Sequence, residues 1–189
     1  PSVTQTPSIT PSITPSPSRA AKSIQQTDTT FTNGSSAACS GATAASVVKQ
    51  LTATVGGTAG TTSQAVSLTS LQTGVWGVQF KWTPDAGTNW SAGTWTWRLN
   101  NNVTNMNITL TAVYICRVNS SNVSQATIGS STGLTTVMNG AVYSGTVTGT
   151  AQTPSAGDYV NIVFVFTNSA MSTQTFNITA NQLIDTPFT

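Results

Sequence analysis

Hydrophobic and polar positions alternate along the middle of the chain. Trp76, Val78, Phe80 and Trp82 fall two apart, as do Trp95, Trp97 and Leu99, and then Ile108, Leu110, Ala112, Tyr114, Cys116 and Val118. A period of two marks β-strands that put one face on a core and the other towards water. Between the first two runs, Pro84-Asp85-Ala86-Gly87-Thr88-Asn89 and Ser91-Ala92-Gly93 are dense in turn formers. The stretch 74–119 therefore predicts the aromatic heart of one β-domain. Trp76, Trp82, Trp95 and Trp97 are its expected core rings, because inward aromatics bury large apolar areas.

The flanks carry the same signal more weakly. Strands are predicted near 46–55 and 65–71, with Gly56-Gly57 and Gly60 turning between them. Further strands are expected at 125–128, 134–138 and 141–148, separated by Gly129, Gly133 and an Asn139-Gly140 hairpin signal. In 159–168, Val160, Ile162, Phe164 and Phe166 interleave with Val163 and Val165, which predicts a central strand covered on both faces. A last strand is expected at 174–179. With eight to ten strands' worth of pattern and no convincing helix, the predicted fold is all-β: an antiparallel β-sandwich, jelly-roll-like rather than immunoglobulin-like.

The N-terminus is different. Pro-Ser-Val-Thr, two Pro-Ser-Ile-Thr units and Pro-Ser-Pro-Ser give a rough four-residue repeat, whose prolines keep it extended and coreless. The division is an extended Pro/Ser/Thr-rich arm at 1–30 and a β-domain at 31–189. Val3, Ile9 and Ile13 are the arm's sizeable apolar anchors, and a neighbouring subunit is the first candidate for what they dock on, the protein's own sheet the second. Pro1 fits a mature end left after a cytoplasmic Met-Pro start, and a cleaved upstream signal would leave the same end.

Composition narrows function by exclusion. Only 5% of the 189 residues are charged, the net charge is +2, and there is no His. That charge steers neither nucleic acid nor an anionic membrane, and no apolar run approaches the roughly twenty residues that span a bilayer. A near-neutral domain is poorly protected against association, so either it works at low concentration or association, as a homo-oligomer, is its role, the second being the first expectation. With His and Glu absent, Ser–His and Cys–His catalysis have no parts. A carboxylate pair would have to come from Asp85, Asp158 and Asp185, each of which reads better as a turn, strand-entry or tail residue. No enzymatic activity, cofactor or metal site is expected. Cys39 and Cys116 read as two free, mostly buried thiols, with a bridge as the alternative. Trp90 lies in a glycine-flanked loop. It is either a cap on the core or a ligand-facing, sugar-stacking ring that would make the chain a carbohydrate-binding module. Seven Asn-X-Ser/Thr sites begin at Asn33, Asn89, Asn102, Asn107, Asn119, Asn122 and Asn177, and in so Asn- and Thr-rich a chain they are uninformative.

Several stretches carry a resemblance: Gly93-Thr94-Trp95-Thr96-Trp97-Arg98-Leu99-Asn100, Val113-Tyr114-Ile115-Cys116-Arg117-Val118-Asn119, Ser124-Gln125-Ala126-Thr127-Ile128-Gly129, Ala156-Gly157-Asp158-Tyr159-Val160 and Gln182-Leu183-Ile184-Asp185-Thr186-Pro187. Over roughly 76–187 the chain resembles uncharacterised β-rich structural proteins of tailed-phage and environmental bacterial genomes. The Pro-Ser-Ile-Thr repeat resembles low-complexity starts on phage structural proteins. The resemblance brings no catalytic motif. It implies a virion surface protein made in the host cytoplasm, a capsid decoration protein first and a tail or fibre component second, with other capsid or tail subunits as partners. An extracellular filament subunit or a glycan-binding adhesin is the competing expectation.

Overall fold

The computed structural model describes residues 23–25, 39, 49–55, 63–80, 90–101, 105–121, 123–139, 141–179 and 183–185. They form eleven strands: β1 Ser23–Gln25, β2 Lys49–Val55, β3 Ser63–Leu68, β4 Thr73–Phe80, β5 Gly93–Asn101, β6 Asn105–Val118, β7 Ser124–Met138, β8 Ala141–Gly149, β9 Tyr159–Asn168, β10 Gln174–Thr179 and β11 Leu183–Asp185. The all-β expectation is borne out, with no helix among the described residues. Trp82, Asp85 and the anchors Val3, Ile9 and Ile13 lie outside them. Part of the 1–30 arm does not: β1 pairs with β11 and β2.

Two ladders share β2. One runs β2-β4-β9-β6-β7, and the other joins β3, β10, β5, β11, β1 and β2, with β8 on the far side of β5. Among the described strands every pair is antiparallel except β2 with β4, which run parallel from Lys49↔Trp76 to Ala53↔Phe80. That pair departs from the antiparallel expectation. Val55 belongs to the β1 pairing and Ala53 to the β4 pairing, so β2 carries the chain from one ladder into the other.

The inner faces meet at aromatic rings. Trp97 on β5 stands edge-on to Phe164 on β9, centroids 5.8 Å apart, and Phe166 meets Phe176 on β10 at 4.8 Å. T-shaped contacts at these distances suit the ring quadrupoles. Trp95, Trp97 and Leu99 are buried as their alternation requires. Trp76, Val78 and Phe80 are the register partners of Phe164, Ile162 and Val160. β9 is buried on both faces, as its double alternation predicts.

β6 departs from the reading of a single face. Its register with β9 slips between Leu110 and Ala112, so Thr111 is an extra residue, a β-bulge. The hydroxyl of Thr111 donates to the Val165 carbonyl at 3.1 Å. The bulge switches faces: Ile108, Leu110, Val113 and Ile115 join the inner core, while Ala112 and Cys116 pack outside with Val163 and Val165, against Tyr114.

The expected turns at Gly129 and Gly133 are not turns. Both lie inside β7, a single strand of 15 residues. A β-carbon on Gly129 would run into the Thr148 carbonyl and Val147, so this glycine permits a close approach of β8. Gly133, with φ +70°, sits where β7 steps four residues against two of β6. Asn139 leads into a change of sheet: β7 pairs with β6, and β8 pairs with β5.

Candidate functional site

Trp90 is the one sequence-selected ring whose exposure decides a function. It is 1% exposed and forms an isolated bridge with Gln152, two backbone hydrogen bonds of 2.9 Å each. A stacking platform needs an open ring face, and Trp90 presents none. Its flanking glycines suggested a surface loop. The bridge to 152, more than sixty positions away, is invisible to any local pattern and folds the ring inward.

The same end of the body holds the charged pair. Asp158 Oδ2 lies 3.6 Å from Arg117 Nε and accepts the Ser155 N–H at 2.9 Å, closing the turn that leads into β9. Gly157 supplies the positive φ, +86°, that this turn needs. Arg117 also donates to the Thr153 carbonyl. Asp158 thus secures the turn and a half-buried guanidinium. Asp185 sits in β11 at the register positions of Ser23 and Thr96, apart from Asp158 on β9's lead-in. Among the described residues no three His, Cys, Asp or Glu gather as metal ligands.

The outer face of the β9 ladder carries a bond that the sequence reading did not favour. Cys39 and Cys116 form a disulfide, Cα–Cα 5.6 Å, across 77 positions. The two free thiols expected from composition are therefore corrected. The bulge at Thr111 is the physical reason, because it turns Cys116 outward to where Cys39 can cover it. Beside it, Asn161 pairs with Cys116 in register and is fully buried, and neither its Nδ2 nor its Oδ1 has a hydrogen-bond partner. Asn168 on the same strand is the contrast. Its Nδ2 donates to the carbonyls of Leu68, Thr69 and Ser172 at 2.8–3.1 Å.

The edge of β8 away from β5 is a further candidate. All nine residues pair in register with β5, from Gly93↔Gly149 to Asn101↔Ala141, without a bulge. Thr150 donates its N–H to the Ile128 carbonyl at 2.8 Å, and the Thr148 carbonyl stands against Gly129. Backbone groups at even positions here therefore point away from β5 and towards β7. Alternate residues share that direction, so Val142, Ser144 and Thr146 aim their N–H and C=O groups outward. Among the described residues no strand pairs with them. Their side chains lie on the exposed face, while Val147 and the half-buried Tyr143 face the core, joined by half-buried Leu134 of β7. The strand has no charge, no proline and no bulge, the devices that normally blunt an edge.

No protein-family model and no curated protein sequence matches the chain. Among solved structures, it is similar to a CocE/NonD family hydrolase from Staphylococcus aureus (8% identity, 72% of this chain, 34% of that one, TM-score 0.43). It is also similar to the structure of the infectious bursal disease virus Gx strain (10% identity, 66% of this chain, 31% of that one, TM-score 0.31). A third is an isomalto-dextranase of Arthrobacter globiformis T6 complexed with panose (11% identity, 65% and 23%, TM-score 0.24). The chain spans about a third of the length of the hydrolase and of the viral chain. The expectation of a non-enzymatic chain is corrected here: hydrolases stand among these likenesses, and the exclusion of catalysis is not retained. At these scores the likeness carries neither hydrolysis nor capsid assembly to this chain. Among the described residues no helix is long and apolar enough to cross a membrane.

Proposed function

We propose that this chain is a structural subunit of a virion surface, first of all a capsid decoration protein of a tailed phage, whose arm at 1–18 docks on neighbouring subunits. The observation that carries the reading is the uncharged, regular outer edge of β8, which no strand pairs among the described residues, in a body that buries both faces of its central strand. Natural sheets blunt such an edge unless something is meant to occupy it. The sparse charge supports the same reading, since Arg117 and Asp158 are spent on each other and the exposed face of β8 carries Val142, Ser144, Thr146 and Thr148 without a charge. The disulfide fits the setting as well. Disulfides persist on virion and cell surfaces and are rare where thiols are kept reduced.

A tail, fibre or extracellular filament subunit is the second reading, favoured by the same open edge, because strand addition also builds filaments. A truncation that starts at Ser23 keeps β1 and removes the repeat. The decoration reading expects this body to stay folded but to lose occupancy on the particle. Full occupancy without the arm would refute the arm's part in assembly, and self-polymerisation without any particle would favour the filament.

A further inference from the structure

We infer that the outer edge of β8 receives residues 1–18 of a second copy of this chain as an added antiparallel strand. This deepens the arm-docking part of the reading above and does not need the virion. Every proline in 1–18 is at an odd position, namely 1, 7, 11, 15 and 17, and every even position is Ser or Thr. In an extended strand, alternate residues send their N–H and C=O to the same side. The even residues therefore form one unbroken hydrogen-bonding edge, while the odd positions place proline, which has no N–H, on the opposite edge. Such a strand pairs on one side only and stops the sheet from growing further.

The same parity settles the faces. In an antiparallel ladder the residues that exchange both hydrogen bonds lie directly opposite and share a face. On β8 the outward-bonding residues are Val142, Ser144 and Thr146, whose side chains are on the exposed face. The arm's Ser and Thr then lie on that face beside Ser144 and Thr146. Val3, Ile9, Ile13 and the prolines fall on the other face, with Tyr143 and Val147, where the half-buried Leu134 and Tyr143 border the core. A parallel strand would reverse the faces and turn the hydroxyls inward. One phase of the arm thus satisfies both the hydrogen-bonding and the hydropathy requirement, and only in the antiparallel sense. Thr6, Thr10, Thr14 and Ser16 each precede a proline, which biases them to extended backbone before docking.

The occupant comes from another copy. β1 lies beyond β5 and β11 from β8, and its register with them makes it run parallel to an antiparallel arm on β8. Parallel strands of one sheet need a connection of about a dozen residues. With Thr10, Ser12 and Thr14 seated opposite Thr146, Ser144 and Val142, residues 15–22 alone separate the seated segment from β1, fewer than such a connection needs.

The test uses full-length chains in two mass-tagged populations. One carries Ser144→Cys, and the other carries a single cysteine at Thr10, Ser12, Ile13 or Thr14. After mixing and mild oxidation, Ser144→Cys is expected to cross-link with Thr10→Cys, Ser12→Cys or Thr14→Cys, and several-fold less with Ile13→Cys, which is on the other face. Each product should contain one chain of each population. Thr10→Pro combined with Ser12→Pro should weaken self-association about tenfold or more, through lost backbone donors. Gln5→Pro, at an odd position, should leave it unchanged. The inference is overturned by cross-linking without odd–even contrast, by Ser144→Cys joining itself, or by concentration-independent cross-linking within one chain. If the contrast is absent while the Ser23 truncation still loses its place on the particle, the edge is wrong and the functional reading stands. If the contrast is present and the particle never contains the chain, the reverse holds.

Discussion

Replacing Gly145 by alanine tests the inner face directly. Gly145 lies opposite Trp97 in the β5–β8 ladder. A β-carbon there would stand 2.5 Å from Cζ2, 2.8 Å from Cε2 and 3.0 Å from Nε1 of that indole, against 3.4–4 Å for ordinary contact. The indole has no room to retreat: Trp97 is 3% exposed and is held edge-on by Phe164. Overpacking of this kind costs about 1–3 kcal/mol, and the lower entropy of the unfolded chain on Gly→Ala returns about 0.4–1 kcal/mol. A net loss of about 1–2 kcal/mol lowers Tm by roughly 2–8 °C in a chain of this size. The control is Trp97→Leu, whose side chain ends at its Cδ atoms and so lacks Cζ2, Cε2 and Nε1, the three colliding atoms. In that background Gly145→Ala should be nearly neutral, a coupling of about 1–2 kcal/mol in the double-mutant cycle. Urea melts of the four proteins measure it. Equal effects of Gly145→Ala in both backgrounds would refute the packing described here, and so would a wild-type Tm for Gly145→Ala alone.

Reducing the Cys39–Cys116 bond, or replacing both cysteines by Ala, should cost about 2–5 kcal/mol, since the closed loop is long; a reductant-insensitive melt contradicts the bridge. Asn161→Leu should be neutral or raise stability by about 1–3 kcal/mol, because it removes two buried polar atoms without partners; a marked loss of stability would mean that Asn161 holds something, a buried water included. Asp158→Ala should destabilise by about 1–3 kcal/mol by removing the Ser155 N–H's acceptor and the carboxylate beside Arg117, which keeps the Thr153 carbonyl, and a wild-type denaturation midpoint would show that the pair adds nothing to stability.

Legibility followed the range of the interactions. The alternation of Trp95, Trp97 and Leu99 is local, and it placed β5 and its inward face correctly. The double alternation of 159–168 did the same for β9. β6 looked like a single alternation because Thr111 is itself a good strand residue, and a bulge leaves no mark when the extra residue has β propensity. Gly129 and Gly133 carried the composition of turns, yet one permits a close approach and the other an irregular step within β7. Asn139-Gly140 looked like a hairpin signal, but the local sequence cannot say that β8 will find β5 rather than β7. The disulfide and the Trp90–Gln152 bridge join positions 77 and 62 apart, beyond any periodicity. The β8 edge was hidden for a related reason: an edge is defined by a missing neighbour, which only the assembled sheet reveals.

The proposed role is that of a surface subunit tied to its neighbours through its arm. Imaging of the native particle at a resolution that traces strands tests it most directly. The account predicts the body on the capsid exterior, with an extra strand along Val142, Ser144 and Thr146 that leads back to an adjacent copy. A particle that lacks this chain, or one whose copies stand apart with β8 open to solvent, would contradict it.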